Sequence, residues 1–95
     1  MDSNLQSAWI FMGEGATHPA GLFSTRELAE QWILRHQVTG VLTRYPMDQA
    51  LYDWAIAEGH FAPKFPSQQR SEFVQRFTSA YAEHYHYVDG IEAGA

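Results

Sequence analysis

Ala8-Trp9-Ile10-Phe11-Met12-Gly13-Glu14-Gly15, continuing through Gly21-Leu22-Phe23 into Ser24-Thr25-Arg26-Glu27, is the stretch that decides the fold class. The apolar run Ala8 to Met12 is short, β-branched or aromatic, and bounded by glycine, which reads as a strand buried on both faces. Gly21-Leu22-Phe23 follows a seven-residue polar, glycine-containing loop, a length that suits a wide hairpin returning antiparallel. Ser24-Thr25-Arg26-Glu27 then has the form of a capping box, Ser24 accepting from the Glu27 amide, with Phe23 and Leu28 as the flanking staple. At about 100° per residue, Leu28, Ala29, Trp32, Ile33 and His36 fall in one stripe of the helix that follows. Strand, strand, helix is the opening of an α+β domain.

Working outward, Gly40 is the residue expected to end that helix, since glycine takes the left-handed C′ conformation without steric cost. Val41-Leu42-Thr43-Arg44-Tyr45 alternates and stops at Pro46, the pattern of a third strand. Asp48 is expected to cap a second helix with Met47 and Tyr52 as its staple, Leu51, Tyr52, Ala55 and Ile56 as its apolar stripe, and Gly59 as its C′ residue. Trp54 lies off that stripe, so either the segment His60 to Pro66 covers it with Phe61 or Phe65, or it is an exposed anchor. Ser71-Glu72-Phe73-Val74 opens a short third helix, with Phe73, Phe77 and Tyr81 recurring at i+4. A last strand runs from about Tyr81 to Val88, Asp89-Gly90 ends it, and Ile91 to Ala95 is expected to fray. The architecture is therefore one mainly antiparallel sheet of about four strands with two principal helices on one face, in the order β-β-α-β-α-α-β. The whole is a single domain, 1–95, with an ordered core of about 8–90.

Composition narrows the function classes. Ninety-five residues make one domain of small size, and 45% hydrophobic with 15% aromatic residues is too apolar for a disordered chain. Six Lys and Arg against eleven Asp and Glu give a net charge of −5, the opposite of the basic footprint that nucleic acid or an anionic membrane requires. A basic protein partner is the complementary expectation. With no cysteine there is neither a disulfide framework nor a thiol nucleophile. The N-terminal Met1 to Gln6 carries an acid where an export signal has a base, and no apolar run is long enough to span a bilayer, so the expected location is the cytoplasm.

For chemistry, His84-x-His86 is the sharpest pattern, because i and i+2 on a strand share a face and can hold one ion. The spacing supplies no third ligand, although His60, His18 or Asp89 could take that role. His36 is expected to serve structure, pairing with free carbonyls at its helix end. Gly13-Glu14-Gly15 matches neither phosphate-loop pattern and reads as a turn tip that presents Glu14 to a partner. No nucleophile elbow and no paired carboxylates stand out, since Asp48 and Asp53 suit a cap and a solvated helix face.

Beyond these residue readings, Trp9-Ile10-Phe11-x-Gly13-Glu14-Gly15, Gly21-x-Phe23-Ser24 with Ala29-x-x-Trp32-Ile33, Thr39-Gly40-Val41-Leu42-Thr43-x-Tyr45-Pro46-x-Asp48 with Tyr52-Asp53-Trp54-Ala55, and His84-Tyr85-His86-Tyr87-x-Asp89-Gly90 resemble a small family of uncharacterised bacterial domains. The resemblance runs from about Trp9 to Gly90 and implies no activity. The element order is also loosely similar to small acidic bacterial immunity proteins, which neutralise a toxin by binding it. Together these readings describe a non-enzymatic, cofactor-free module that binds a protein, with Glu14, Asp53, Trp54 and Tyr85 as contacts and no metal. The alternative is a small metal- or ligand-dependent enzyme using His84 and His86.

Overall fold

The computed structural model describes residues 6–94. The stretch read for export, up to Leu5, and Ala95 lie outside the described residues; of the tail expected to fray, Ile91–Glu92 instead forms a strand. The described chain forms two compact units, one of residues up to Met47 together with Ala82 onward, the other Asp48–Tyr81.

In the first unit β1 (Ser7–Gly13), β2 (Gly21–Phe23), β3 (Gly40–Pro46), β4 (His84–Val88) and β5 (Ile91–Glu92) make one sheet in the order β2-β1-β3-β4-β5. Every neighbouring pair is antiparallel. The sheet thus has five strands where four were expected, because Ile91–Glu92 turns back at Asp89-Gly90 and pairs with Val88 and Tyr87. That turn sets both residues at positive φ, 51° and 87°. At the other end, β4 begins at His84 rather than Tyr81; Tyr81 lies in a turn and Ala82 in a bend.

Register fixes which side chains share a face, since directly paired residues point the same way. Trp9 opposite Phe23 and Arg44, Phe11 opposite Leu42, and Leu42 opposite Tyr85 form one face. Helix α1 (Arg26–His36) packs there, and Trp9, Phe11, Ala29, Ile33, Leu42 and Tyr87 are the core. Phe11, Ile33 and Leu42 are fully buried, and each such side chain contributes about 1.5–3 kcal/mol relative to exposure. Burial of β1 is uneven between its faces: Trp9 and Phe11 are buried on the α1 side, while on the other side Ala8 is buried, Ile10 half-buried and Met12 exposed. An antiparallel sheet covered by a helix on one side needs apolar residues only at alternate positions.

The ends of α1 differ from the sequence reading. Thr25, not Ser24, is the N-cap, its Oγ1 accepting from the Leu28 amide at 3.1 Å. The N3 position is then Leu28, so no capping box with Glu27 forms. At the other end Gln37 takes the left-handed conformation, φ 53°, and its N–H bonds back into the last turn. Gly40 has a different job. It starts β3 where the strands approach so closely that a Cβ would lie 2.3 Å from the Met12 carbonyl and 2.7 Å from Phe11 Cζ. The buried stripe is also narrower than expected, with Ala29 and Ile33 at its centre and Leu28 and His36 exposed.

In the second unit α2 (Leu51–Ala57) buries Leu51 and Ala55; Glu58 is its C-cap and Gly59, φ 79°, follows as the expected left-handed residue. Asp48 does not cap it: the N-cap is Ala50, without a side-chain bond, and Asp48 sits in the left-handed region at φ 62°. A 3-10 turn (Pro66–Gln69) and α3 (Ser71–Val74) follow. Tyr52 organises this unit. Its ring meets Phe61, Phe73 and Phe77 at 5.9, 6.3 and 5.4 Å, and its hydroxyl donates to the Gln68 carbonyl at 2.8 Å. Because Phe61 joins that cluster and Phe65 is exposed, neither covers Trp54; His60 does, at 5.3 Å, with Tyr81 stacked on His60 at 4.2 Å.

Candidate functional site

Two polar assemblies occupy opposite sides of the five-stranded sheet. On the α1 side, Arg26 Nε donates to Glu30 and its terminal nitrogen to Glu92, both at 3.0 Å, tying the first turn of α1 to β5. The same guanidinium lies 3.4 Å over the Tyr85 ring, whose other neighbour is Trp9 at 6.1 Å. Tyr85 donates to Glu83, which holds the Glu83 carboxyl below the usual carboxylate range and raises the phenol. Arg44 closes the chain of contacts, donating to Ser7 Oγ at 2.8 Å and pairing with Glu83 at 3.4 Å. Tyr87 is buried and donates to Glu30; burial first and that bond second push its phenol well above the usual value. Burial opposes the charge of Arg26, yet Tyr87 and Glu30 hold the guanidinium above its ordinary value. These groups satisfy one another, so the assembly fastens α1 to β4 and β5.

On the opposite side, register places Ile10, Met12, Val41, Thr43, His84, His86, Val88 and Ile91 on one face. At one end of it a shallow groove of about 330 Å³ is lined by Met12, Glu14, Thr39, Val41, His86 and Val88. Two turns rim this end, and Thr39 pins both. The Glu14 amide donates to the Thr39 carbonyl at 2.9 Å, and the Asp89 amide donates to Thr39 Oγ1 at 3.0 Å. Gly90 completes the clasp by donating to the Val38 carbonyl at 2.9 Å. Its own position is tight: a Cβ there would lie 3.0 Å from Gln37 Cα and 3.1 Å from the Ile33 carbonyl. Both carboxylates are exposed.

A family model described as a domain of unknown function, DUF7710, matches residues 8–93. The chain belongs to the DUF7710 family. No curated protein and no solved structure matches it. That assignment covers the elements from β1, all but its first residue Ser7, to β5, so both faces of the sheet are parts of the DUF7710 domain.

The residues singled out from sequence are dispersed over the DUF7710 domain rather than gathered in one place. Glu14 stands at the rim of the groove and His86 lines it. Tyr85 lies on the other face of the sheet, its ring engaged by Trp9 and Arg26. Asp53 is exposed and Trp54 half-buried on α2, in the second unit. Among the described residues no cluster of three or more His, Asp or Glu is placed to hold a metal, and no helix is long and apolar enough to cross a membrane. Thr39 and Asp89 carry the rim, and sequence offered little to find them. Each meets its partner across about fifty residues of chain, which no local pattern records.

Proposed function

We propose that this DUF7710 domain is a non-catalytic protein-binding module whose partner presents a basic segment to the groove between the Glu14 and Asp89 turns. The carrying observation is the pair of turns whose backbone amides, at Glu14 and Asp89, both bond to Thr39 and each of which bears an exposed carboxylate, with Glu14 itself bordering an apolar floor of Met12, Val41 and Val88. A lysine or arginine side chain suits such a place, laying its aliphatic stem on the floor and its charge toward the rim. Charge distribution supports the direction of complementarity. Among the described residues the first unit holds six carboxylates against three Lys and Arg residues. Two of those three, Arg26 and Arg44, are already paired with Glu30, Glu92 and Glu83.

Binding to a basic toxin or nuclease in a bacterial cytoplasm, the role of an immunity-type inhibitor, is one use of such a surface. Tyr85 contributes indirectly here, by holding the sheet that presents the groove. Asp53 and Trp54 on α2, an exposed carboxylate beside a half-exposed ring, are the second contact patch to test, since Trp is enriched at binding hot spots. Capture from a lysate with untagged, surface-coupled protein, read by mass spectrometry, tests the proposal. A basic protein recovered by the wild type and lost with Glu14→Lys/Asp89→Lys is the expected result. Recovery that survives this charge reversal but fails with Trp54→Ala moves the site to α2, and absence of any saturable partner defeats the binding role.

A further inference from the structure

His84 and His86 leave β4 on the face opposite α1, paired across the strand with Thr43 and Val41. Their ring centroids are 5.4 Å apart and the ring planes stand at 81°. That separation matters chemically. With metal–nitrogen bonds of about 2.0–2.1 Å and a tetrahedral angle, two imidazoles on one ion place their centroids about 5 Å apart. A second observation comes from His84 alone. Its Nδ1 lies 2.8 Å from the Ala82 carbonyl oxygen, and an oxygen acceptor requires Nδ1 to be the protonated nitrogen. Nε2 of His84 therefore keeps its lone pair, and the ring is oriented by a backbone carbonyl, the arrangement that metal-binding histidines use to fix tautomer and direction. His86 is exposed, so an ion can reach the pair from solvent.

We infer that His84 and His86 form a bidentate imidazole site for a borderline divalent transition-metal ion, Cu²⁺, Ni²⁺ or Zn²⁺, with water filling the remaining positions. This inference does not rest on the partner proposed above, although His86 also lines that groove, because it is argued from the spacing of two rings and from one carbonyl contact. Two neutral nitrogens favour these ions over Mg²⁺ and Ca²⁺, which take oxygen ligands, and the affinity order should follow copper above nickel and zinc. With only two protein ligands, the ion is exchangeable rather than a fixed part of the fold.

Titration calorimetry of untagged protein with CuCl₂, NiCl₂ and MgCl₂ tests the site. One equivalent of copper or nickel should bind and magnesium should not. Either His84→Ala or His86→Ala should weaken binding by about a hundredfold, because removing one ring ends the chelate. His60→Ala and His18→Ala should leave it unchanged. A second measurement needs no variant: trace Cu²⁺ added to ¹⁵N-labelled wild type should broaden the amide signals around His84 and His86 first. Broadening centred on His18, His36 or His60, binding that persists at full strength in both single variants, or no saturable copper or nickel binding to the folded protein would each overturn the inference.

Discussion

Gly40 shows how a single missing side chain sets the geometry of the sheet. Where β1 and β3 meet at Gly13 opposite Gly40, a Cβ on residue 40 would fall 2.9 Å from Gly13 Cα as well as 2.3 Å from the Met12 carbonyl. Backbone cannot swing aside as a side chain can, so overpacking here shifts the central strand pair. Gly40→Ala should cost about 1–3 kcal/mol, read as a lower urea midpoint with an unchanged slope. A midpoint equal to that of the wild type would mean that the two strands do not approach as described. The cap of α1 allows a paired test at adjacent residues. Thr25→Ala should cost about 1 kcal/mol through loss of the bond to the Leu28 amide, while Ser24→Ala, exposed and outside the cap, should change stability by less than about 0.5 kcal/mol. Both residues carry a hydroxyl suited to the role, which is why the sequence pattern alone placed the cap one residue early.

Among elements, α1 and β4 are joined by apolar packing and by the Tyr87 hydroxyl, which donates to Glu30. A tyrosine whose pKa is raised in the fold is protonated there at pH values where the unfolded chain has already ionised. Its contribution is therefore fully present below the unfolded value, about 10, and is lost as pH rises through the raised value. Tyr87→Phe should destabilise the protein by about 1 kcal/mol near neutrality. The gap between variant and wild type should hold steady to about pH 10 and shrink above it. A gap that stays constant into strong alkali would show that the hydroxyl is not held by Glu30.

Most elements were legible because their signals are local. The apolar run at Ala8 to Met12, the loop ending at Gly21, the periodicity after Thr25 and the alternation up to Pro46 each sit within a few residues of their consequence. What escaped was set elsewhere in the chain. Ile91–Glu92 is too short for a strand pattern and pairs only because Asp89 and Gly90 reverse the chain. The position of Asp89 beside Thr39, and of Arg26 over Tyr85, depends on strands adjacent in space and far apart in sequence. Glu14 was readable as a presented acid because glycines flank it; the groove it borders was not.

At the scale of the whole molecule, the acidic balance is concentrated in the unit that holds the sheet. Exposed like charges act together at a distance, so they govern encounter with a basic partner more than the strength of the final complex. Association with the captured partner should slow as salt is raised from low to physiological strength, with dissociation much less affected, and Glu14→Lys/Asp89→Lys should flatten that dependence. The most direct test of the account is the hydrogen-exchange footprint of the bound partner on the wild-type protein. Slowed exchange should appear in residues 13–15, 39–41 and 86–90, the two turns and the strand ends that border the groove. Protection confined to α2 around Asp53 and Trp54, with those three segments exchanging as in the free protein, would contradict it.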